Sequence, residues 1–469
     1  MPTSASHPPV RRPIVRRLLI VLALVGLPSV AHAHVKWFSE FSFADRPLRL
    51  AEALTPTVVA LLVLSMAAVG ALVWVDRRVA TSTWYERLDA WLASYRDRSL
   101  LVLRVGAGAT LLLAWQDDSI FVPELAVPNA WVGWVQFALA LLLLSRRTTP
   151  VAGAGLLALY AYGFALFRPL HMLDYVFVAG VGFYFLVASA KSERVRALGL
   201  PALYLSVGFS LCWVALEKLI YPEWGLYVLS QTPQLALGFD IDFFLNAAAF
   251  VEFSLGYLLI ICLLQRPMAL AITLVFFTTT LFFGKVEVIG HTLIHAALIV
   301  FLIEGPGTVY SAPYTFHERP SLRTAFASVN VALLFALLVI PYAALAWNAY
   351  EAHVAEVQPS LFELSSDAPA PAVALDVEPE LGGGYLVRVA AEGFRFAPAE
   401  SGQDHVAGEG HAHLYVDGEQ VARLYAPVHH LGDLPPGRRT ITVALSTNDH
   451  RLYARDGEVL RGERTIDVP

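Results

Sequence analysis

The 469-residue chain is 57% hydrophobic and only 15% charged, with a mean hydropathy of +0.57, where a soluble domain carries about a quarter charged residues. Its 33 basic and 39 acidic residues leave a formal charge of −6, and no basic run beyond the N-terminal segment suggests nucleic acid. The only two cysteines, Cys212 and Cys262, lie in apolar blocks, which excludes a disulfide framework in the polar parts.

Arg11, Arg12, Arg16 and Arg17 precede the apolar run Leu18 to Leu27, and Ala31-His32-Ala33 has the small-x-small pattern of a cleavage site. The pattern predicts a signal peptide over residues 1–33, and whether it is cleaved or kept as an anchor, residue 34 lies outside the membrane. A mature N-terminal His34 offers an amine and an imidazole nitrogen to one metal ion, a chelate that suits Cu(II). Residues 34–56 form an exported segment, and Trp37, Phe38, Phe41 and Phe43 are expected to hold it against the membrane surface.

A hydrocarbon layer about 30 Å thick needs roughly 20 apolar residues per helix. Blocks of that kind fall near 57–75, 100–115, 130–145, 151–168, 171–189, 201–217, 243–264, 268–284, 287–303 and 324–347. Ten transmembrane helices are therefore expected, since backbone groups in lipid must pair within the segment. Between the first two blocks, Trp84, Leu88, Trp91 and Leu92 give residues 84–98 the apolar face of a surface helix. Charge then orients the spans. Arg77, Arg78, Arg87, Arg96, Arg98, Arg146, Arg147, Lys191, Arg194, Arg196, Arg266, Arg319 and Arg323 all fall in loops of one side. Asp117, Asp118, Glu124, Glu223, Asp240 and Asp242 fall on the other. By the positive-inside rule the first set is cytoplasmic, so the mature N-terminus and the C-terminal domain lie on the periplasmic side of a bacterial inner membrane.

Residues 57–99 thus hold the first span and the surface helix. Residues 100–199 and 200–304 read as two four-helix units of the same orientation, and 305–347 as the last span. Leu103-Arg104-Val105-Gly106 answers Leu205-Ser206-Val207-Gly208, Pro123-Glu124 answers Pro222-Glu223, and Val135-Gln136-Phe137 answers Val251-Glu252-Phe253. Parallel repeats of this kind place sites where the halves meet. The second unit, with Glu217-Lys218 ending its first helix, Glu252 in its second and Arg266-Pro267 before its third, resembles the DoxX superfamily of bacterial membrane proteins. That resemblance covers residues 201–303 best and 100–189 more loosely. It implies a membrane subunit of a quinone-linked oxidoreductase, with quinone as cofactor, as one alternative for the function.

Ionisable residues at membrane depth are costly and mark sites. Glu252 is one. Glu287, His291 and His295 follow at i, i+4 and i+8 on one helix face, and the four form a candidate intramembrane site. Metal binding, proton transfer and hydrogen bonding to a quinone head group all suit a carboxylate with imidazoles, and a buried polar network between helices is the plain alternative. Glu217 and Lys218 read as an interfacial pair.

After Trp347 the composition turns polar. Residues 348–372 read as a linker and 373–469 as an all-β sandwich of six or seven short strands, near 375–377, 385–390, 411–416, 421–425, 440–445 and 465–468, with Asp417-Gly418 as a hairpin turn. Six of the 14 histidines lie here: His405, His411, His413, His429, His430 and His450. Alternate strand residues share a face, so His411 and His413 are placed to hold one metal together, with His429 and His430 returning toward them. Gly410 to Gly418 and Gly393-Phe394-Arg395-Phe396-Ala397-Pro398 resemble cupredoxin-like exported domains. The domain has no Cys or Met, so a blue-copper centre is excluded and a histidine site for copper or zinc remains. No nucleophile motif argues for hydrolysis. The chain reads as a periplasmic metal-binding or metal-handling membrane protein rather than an enzyme, with copper as the favoured metal and the lipid bilayer as partner. A non-catalytic envelope scaffold is the other alternative.

Overall fold

The computed structural model describes residues 35–305 and 319–468, apart from 40, 44, 128, 357–359, 366–370, 381–383 and 402. The expected signal peptide and His34 lie outside the described residues. Two compact units emerge, one of residues up to 41 with 48–345, the other of residues 42–47 with 346–469.

The first unit is helical. Its main helices are α1 (Pro56–Ala80), α2 (Thr83–Ala93), α3 (Ser99–Gln116), α4 (Ala130–Leu142), α5 (Thr149–Leu166) and α6 (Pro169–Val187, with a 3-10 turn at Leu173–Tyr175). Then follow α7 (Gly199–Ile220), α8 (Pro222–Gln231), α9 (Ile241–Ile260), α10 (Gln265–Phe283), α11 (Lys285–Glu304) and α12 (Pro320–Glu356), the last continuing into the second unit. Each of the ten apolar blocks forms a helix, and eight of them are long and apolar enough to cross a membrane. Of the other two, α4 has 13 residues and α10 has 19. Starts and stops follow local chemistry. Thr55 accepts a hydrogen bond from the Val58 N–H at 3.3 Å ahead of Pro56, and Asp240 caps α9 through the Phe243 N–H at 2.9 Å. Gly284, at φ +64°, breaks α10 from α11.

Helix packing is matched between the two sets of four helices read as repeats. α3 packs on α4 as α7 does on α9, and α5 packs on α6 as α10 does on α11. Each first helix also packs on the other unit's fourth, α3 on α11 and α7 on α6. Small residues permit the closest approach. A Cβ on Gly208 would sit 2.6 Å from the Gly256 carbonyl oxygen, and one on Gly256 would sit 2.6 Å from the Gly208 oxygen.

The C-terminal domain is built of β-sheet. Its strands are β1 (Leu361–Glu363), β2 (Ala372–Pro379), β3 (Tyr385–Glu392), β4 (Arg395–Phe396), β5 (Glu409–Val416), β6 (Glu419–Leu424), β7 (Val428–Leu431), β8 (Gly437–Thr447), β9 (Leu452–Arg455), β10 (Glu458–Val459) and β11 (Arg461–Val468). One sheet runs β1-β9-β8-β5-β4, with β10 on β9, β11 on β8 and β6 on β5; the other runs β2-β3-β7. All six strand blocks read from the sequence fall on strands, the block 421–425 overrunning β6 by Tyr425. Asp417 and Gly418, at φ +52° and +85°, make the β5–β6 turn. Both sheets feed one apolar cluster, with Val387 and Val389 from β3, Leu414 from β5 and Val443 and Leu445 from β8. The residues read as a linker behave differently. Residues 348–356 continue α12, because no helix breaker intervenes, and Leu361–Glu363 adds a strand parallel to β9, its Phe362 packing against the core.

Candidate functional site

In β5, alternation sends Ala412 and Leu414 into the apolar core and His411 and His413 to the opposite face. That face is covered too, and His411 and His413 are 0% and 8% exposed. Gly410 lets β5 lie tight on β8, because a Cβ there would meet the Ser446 carbonyl oxygen at 1.9 Å. His411 pairs across from Ser446, where β8 runs into the turn that carries Asn448, Asp449 and His450. His450 holds a left-handed conformation at φ +66°, within a turn closed by the Thr447 N–H to Arg451 carbonyl bond at 2.8 Å. Its imidazole thereby reaches back to β5.

Three imidazoles meet as a result. Nε2 of His411 lies 3.0 Å from Nε2 of His413 and 3.3 Å from Nδ1 of His450. One nitrogen from each of the three residues lies within 4.8 Å of the others. Four nitrogens around an ion at 2.0–2.1 Å are separated by about 3.3–3.4 Å in a tetrahedron, so these spacings suit one ion. Without an ion, the 3.0 Å contact is that of an N–H···N hydrogen bond. Among the described residues this is the only group of three or more His, Cys, Asp or Glu residues so placed.

The surroundings hold the trio neutral. Burial first, then the neighbouring imidazoles of His413 and His450 and the Arg423 guanidinium, lowers His411 to about 2. Burial and then Arg423 bring His413 to about 3 and His450 to about 4. Neutral imidazoles present lone pairs, the form a metal requires. Tyr415 Oη lies 3.4 Å from Nδ1 of His413, and the Tyr425 ring lies beside His411 at a 5.5 Å centroid distance. Nδ1 of His411 is buried without a hydrogen-bond partner, so nothing fixes its tautomer.

The other sequence candidates separate. His429 and His430 sit on β7 in the second sheet, opposite Val387 and Leu386 of β3. His430 Nδ1 is 2.7 Å from Glu380, and burial lowers His429 to about 4. Neither belongs to the trio. In the helical unit, Glu252 pairs with Lys218 at 2.7 Å, away from the α11 residues. Glu287 lies against Nδ1 of His291, whose ring stacks on Phe276 at 4.1 Å. His295 lies a turn beyond, its ring 6.4 Å from that of His291.

Glu217 and Lys218 are not an interfacial pair. They are 0% and 1% exposed, Glu217 meeting the N-terminal segment at Lys36 and Lys218 pairing with Glu252. There Lys36 Nζ bonds Asp174 at 2.6 Å and lies 2.9 Å from Glu217, with the Phe41 and Trp224 rings each 5.9 Å away. Trp37 donates to Tyr175 Oη at 3.2 Å and packs on His291 and Gly290. Glu124 bonds His171 at 2.5 Å and accepts from Tyr175. Gln136, which answers Glu252 in the repeat, ties down the loop after α3 instead, donating to the Ser119 carbonyl at 2.8 Å and accepting from the Phe121 N–H at 3.2 Å. The hint for Lys36 was a lone cation among aromatics, Val35-Lys36-Trp37-Phe38.

No family model, curated protein or solved structure matches the chain.

Proposed function

We infer that this chain is a multi-pass inner-membrane protein whose C-terminal β-domain binds one divalent metal ion through His411, His413 and His450 on the periplasmic side. The observation that carries this reading is the convergence of three neutral imidazoles, two buried on one strand and one half-buried in a turn, within 4.8 Å. Three imidazoles and an open fourth position form a donor set used by zinc. Among first-row divalent ions an all-nitrogen site binds Cu(II) most tightly, which favours copper. The orientation rests on the charge bias of the loops, and the sandwich-like, cupredoxin-like character on the strand pattern and the shared core. In this reading the helical unit is a pair of parallel DoxX-like repeats that hold the metal domain at the membrane, and the first 33 residues direct export.

The test is metal titration of the full chain in detergent. About one Cu(II) per chain is expected. His411→Ala with His413→Ala abolishes binding, and His429→Ala with His430→Ala leaves it intact. Equal stoichiometry in all three proteins would reject the site.

A further inference from the structure

Among the described residues, the charge network around Lys36 is unbalanced. Lys36 is shared by two carboxylates, Asp174 and Glu217, all three buried at 3%, 0% and 0% exposure. Within electrostatic reach of Asp174 lie one cation, Lys36, and two further acids, Glu217 and Glu124. The adjoining pair brings no surplus cation, since Lys218 is matched by Glu252. Among the described residues, the two lysines Lys36 and Lys218 thus face the three carboxylates Asp174, Glu217 and Glu252. Among the described residues, Tyr160, Tyr175, Tyr221 and Tyr342 also face the cluster and Cys212 faces Glu252, and none adds positive charge. Carboxylate oxygens are left over as well. Oδ1 of Asp174 and Oε1 of Glu217 are buried without a hydrogen-bond partner. A buried carboxylate with neither counter-charge nor donor is costly, and it is relieved by taking up a cation.

We propose that Asp174 and Glu217, clamped by Lys36, form a binding site for one exchangeable proton inside the helical unit. The proton occupies one of the two orphan oxygens, while the other carboxylate remains ionised against the Lys36 ammonium. Lys36 and Trp37 then serve as the wall of the site, because Lys36 sets its charge and Trp37, anchored on Gly290, holds Lys36 in place. A protonated carboxyl also supplies the donor that the neighbouring oxygen lacks. A sodium ion would answer the same charge deficit, and the experiment separates the two.

The full chain in nanodiscs is followed by infrared difference spectroscopy and thermal unfolding from pH 5.5 to 9. Wild type shows a protonated-carboxyl band that disappears on alkalinisation, and its melting temperature falls as the proton is withdrawn. Asp174→Asn and Glu217→Gln each remove the band and flatten the profile, with melting at pH 9 raised by about 2–4 °C. The double variant strands Lys36 without a counter-charge and melts lower at every pH. Exchange of choline for sodium at pH 7 leaves the wild-type band in place. A band lost on adding sodium assigns the site to that ion and overturns the proton. Single variants that melt below wild type at every pH, with no titrating carboxyl in wild type, overturn it also, because a simple structural ion pair behaves in that way.

Discussion

His450 shows how one residue completes a site. It lies 39 residues from His411 along the chain, yet its ring nitrogen is 3.3 Å away, because a left-handed turn at φ +66° aims it back at β5. Burial also fixes the proton chemistry. The folded values of about 2, 3 and 4 for His411, His413 and His450 lie below the ordinary value near 6.5. The unfolded chain therefore takes up protons first as the pH falls. Stability of the metal-free domain is complete above about pH 6.5 and declines as pH drops toward His450's value near 4. Hydrogen-exchange protection factors of the β5 and β8 amides should follow that course, and His411→Leu with His413→Leu should flatten it. Protection that is unchanged between pH 7 and 4.5 in the unsubstituted chain counts against a trio of neutral imidazoles.

At the scale of elements, what could be read from the sequence was set by periodicity. Alternation placed His411 and His413 on one strand face, and the fold keeps them there. His429 and His430 were expected beside them because β7 follows β6 closely. Strand pairing sends β7 to β3 in the other sheet instead, and nothing local in Val428–Leu431 encodes that choice. The polar residues of α7, α9 and α11 were visible as costly groups in apolar runs. Their partners were not, because Lys36 reaches Asp174 across 138 residues and Lys218 reaches Glu252 across 34. The α7–α9 contact gives a direct test at this scale. Gly256→Leu must push the Gly208 backbone away, since even a Cβ would sit 2.6 Å from that oxygen. Overpacking of this kind costs about 1–3 kcal/mol, read as a lower detergent-unfolding midpoint. Gly238→Leu would be a poor control because of its φ of +82°, whereas Gly108→Leu has open space around its Cβ and should be tolerated.

For the molecule as a whole, the division into a helical unit and a β-domain follows from composition. Apolar blocks give way to alternating strands, and the structure divides the chain at residues 345 and 346, next to the change seen after Trp347. Ten helices could be counted because lipid demands long apolar runs, and eight of them meet that demand in full. The fold of residues 35–41 into the helical unit could not be read, because an aromatic segment suits a membrane surface and a protein interior equally well. Copper is the occupant proposed for the trio, so the most direct test is pulsed electron paramagnetic resonance of the full chain loaded with one equivalent of Cu(II). Coupling to three imidazole nitrogens is expected, falling to two in His450→Ala. A copper signal without imidazole coupling, or one that His450→Ala leaves unchanged, would contradict the site.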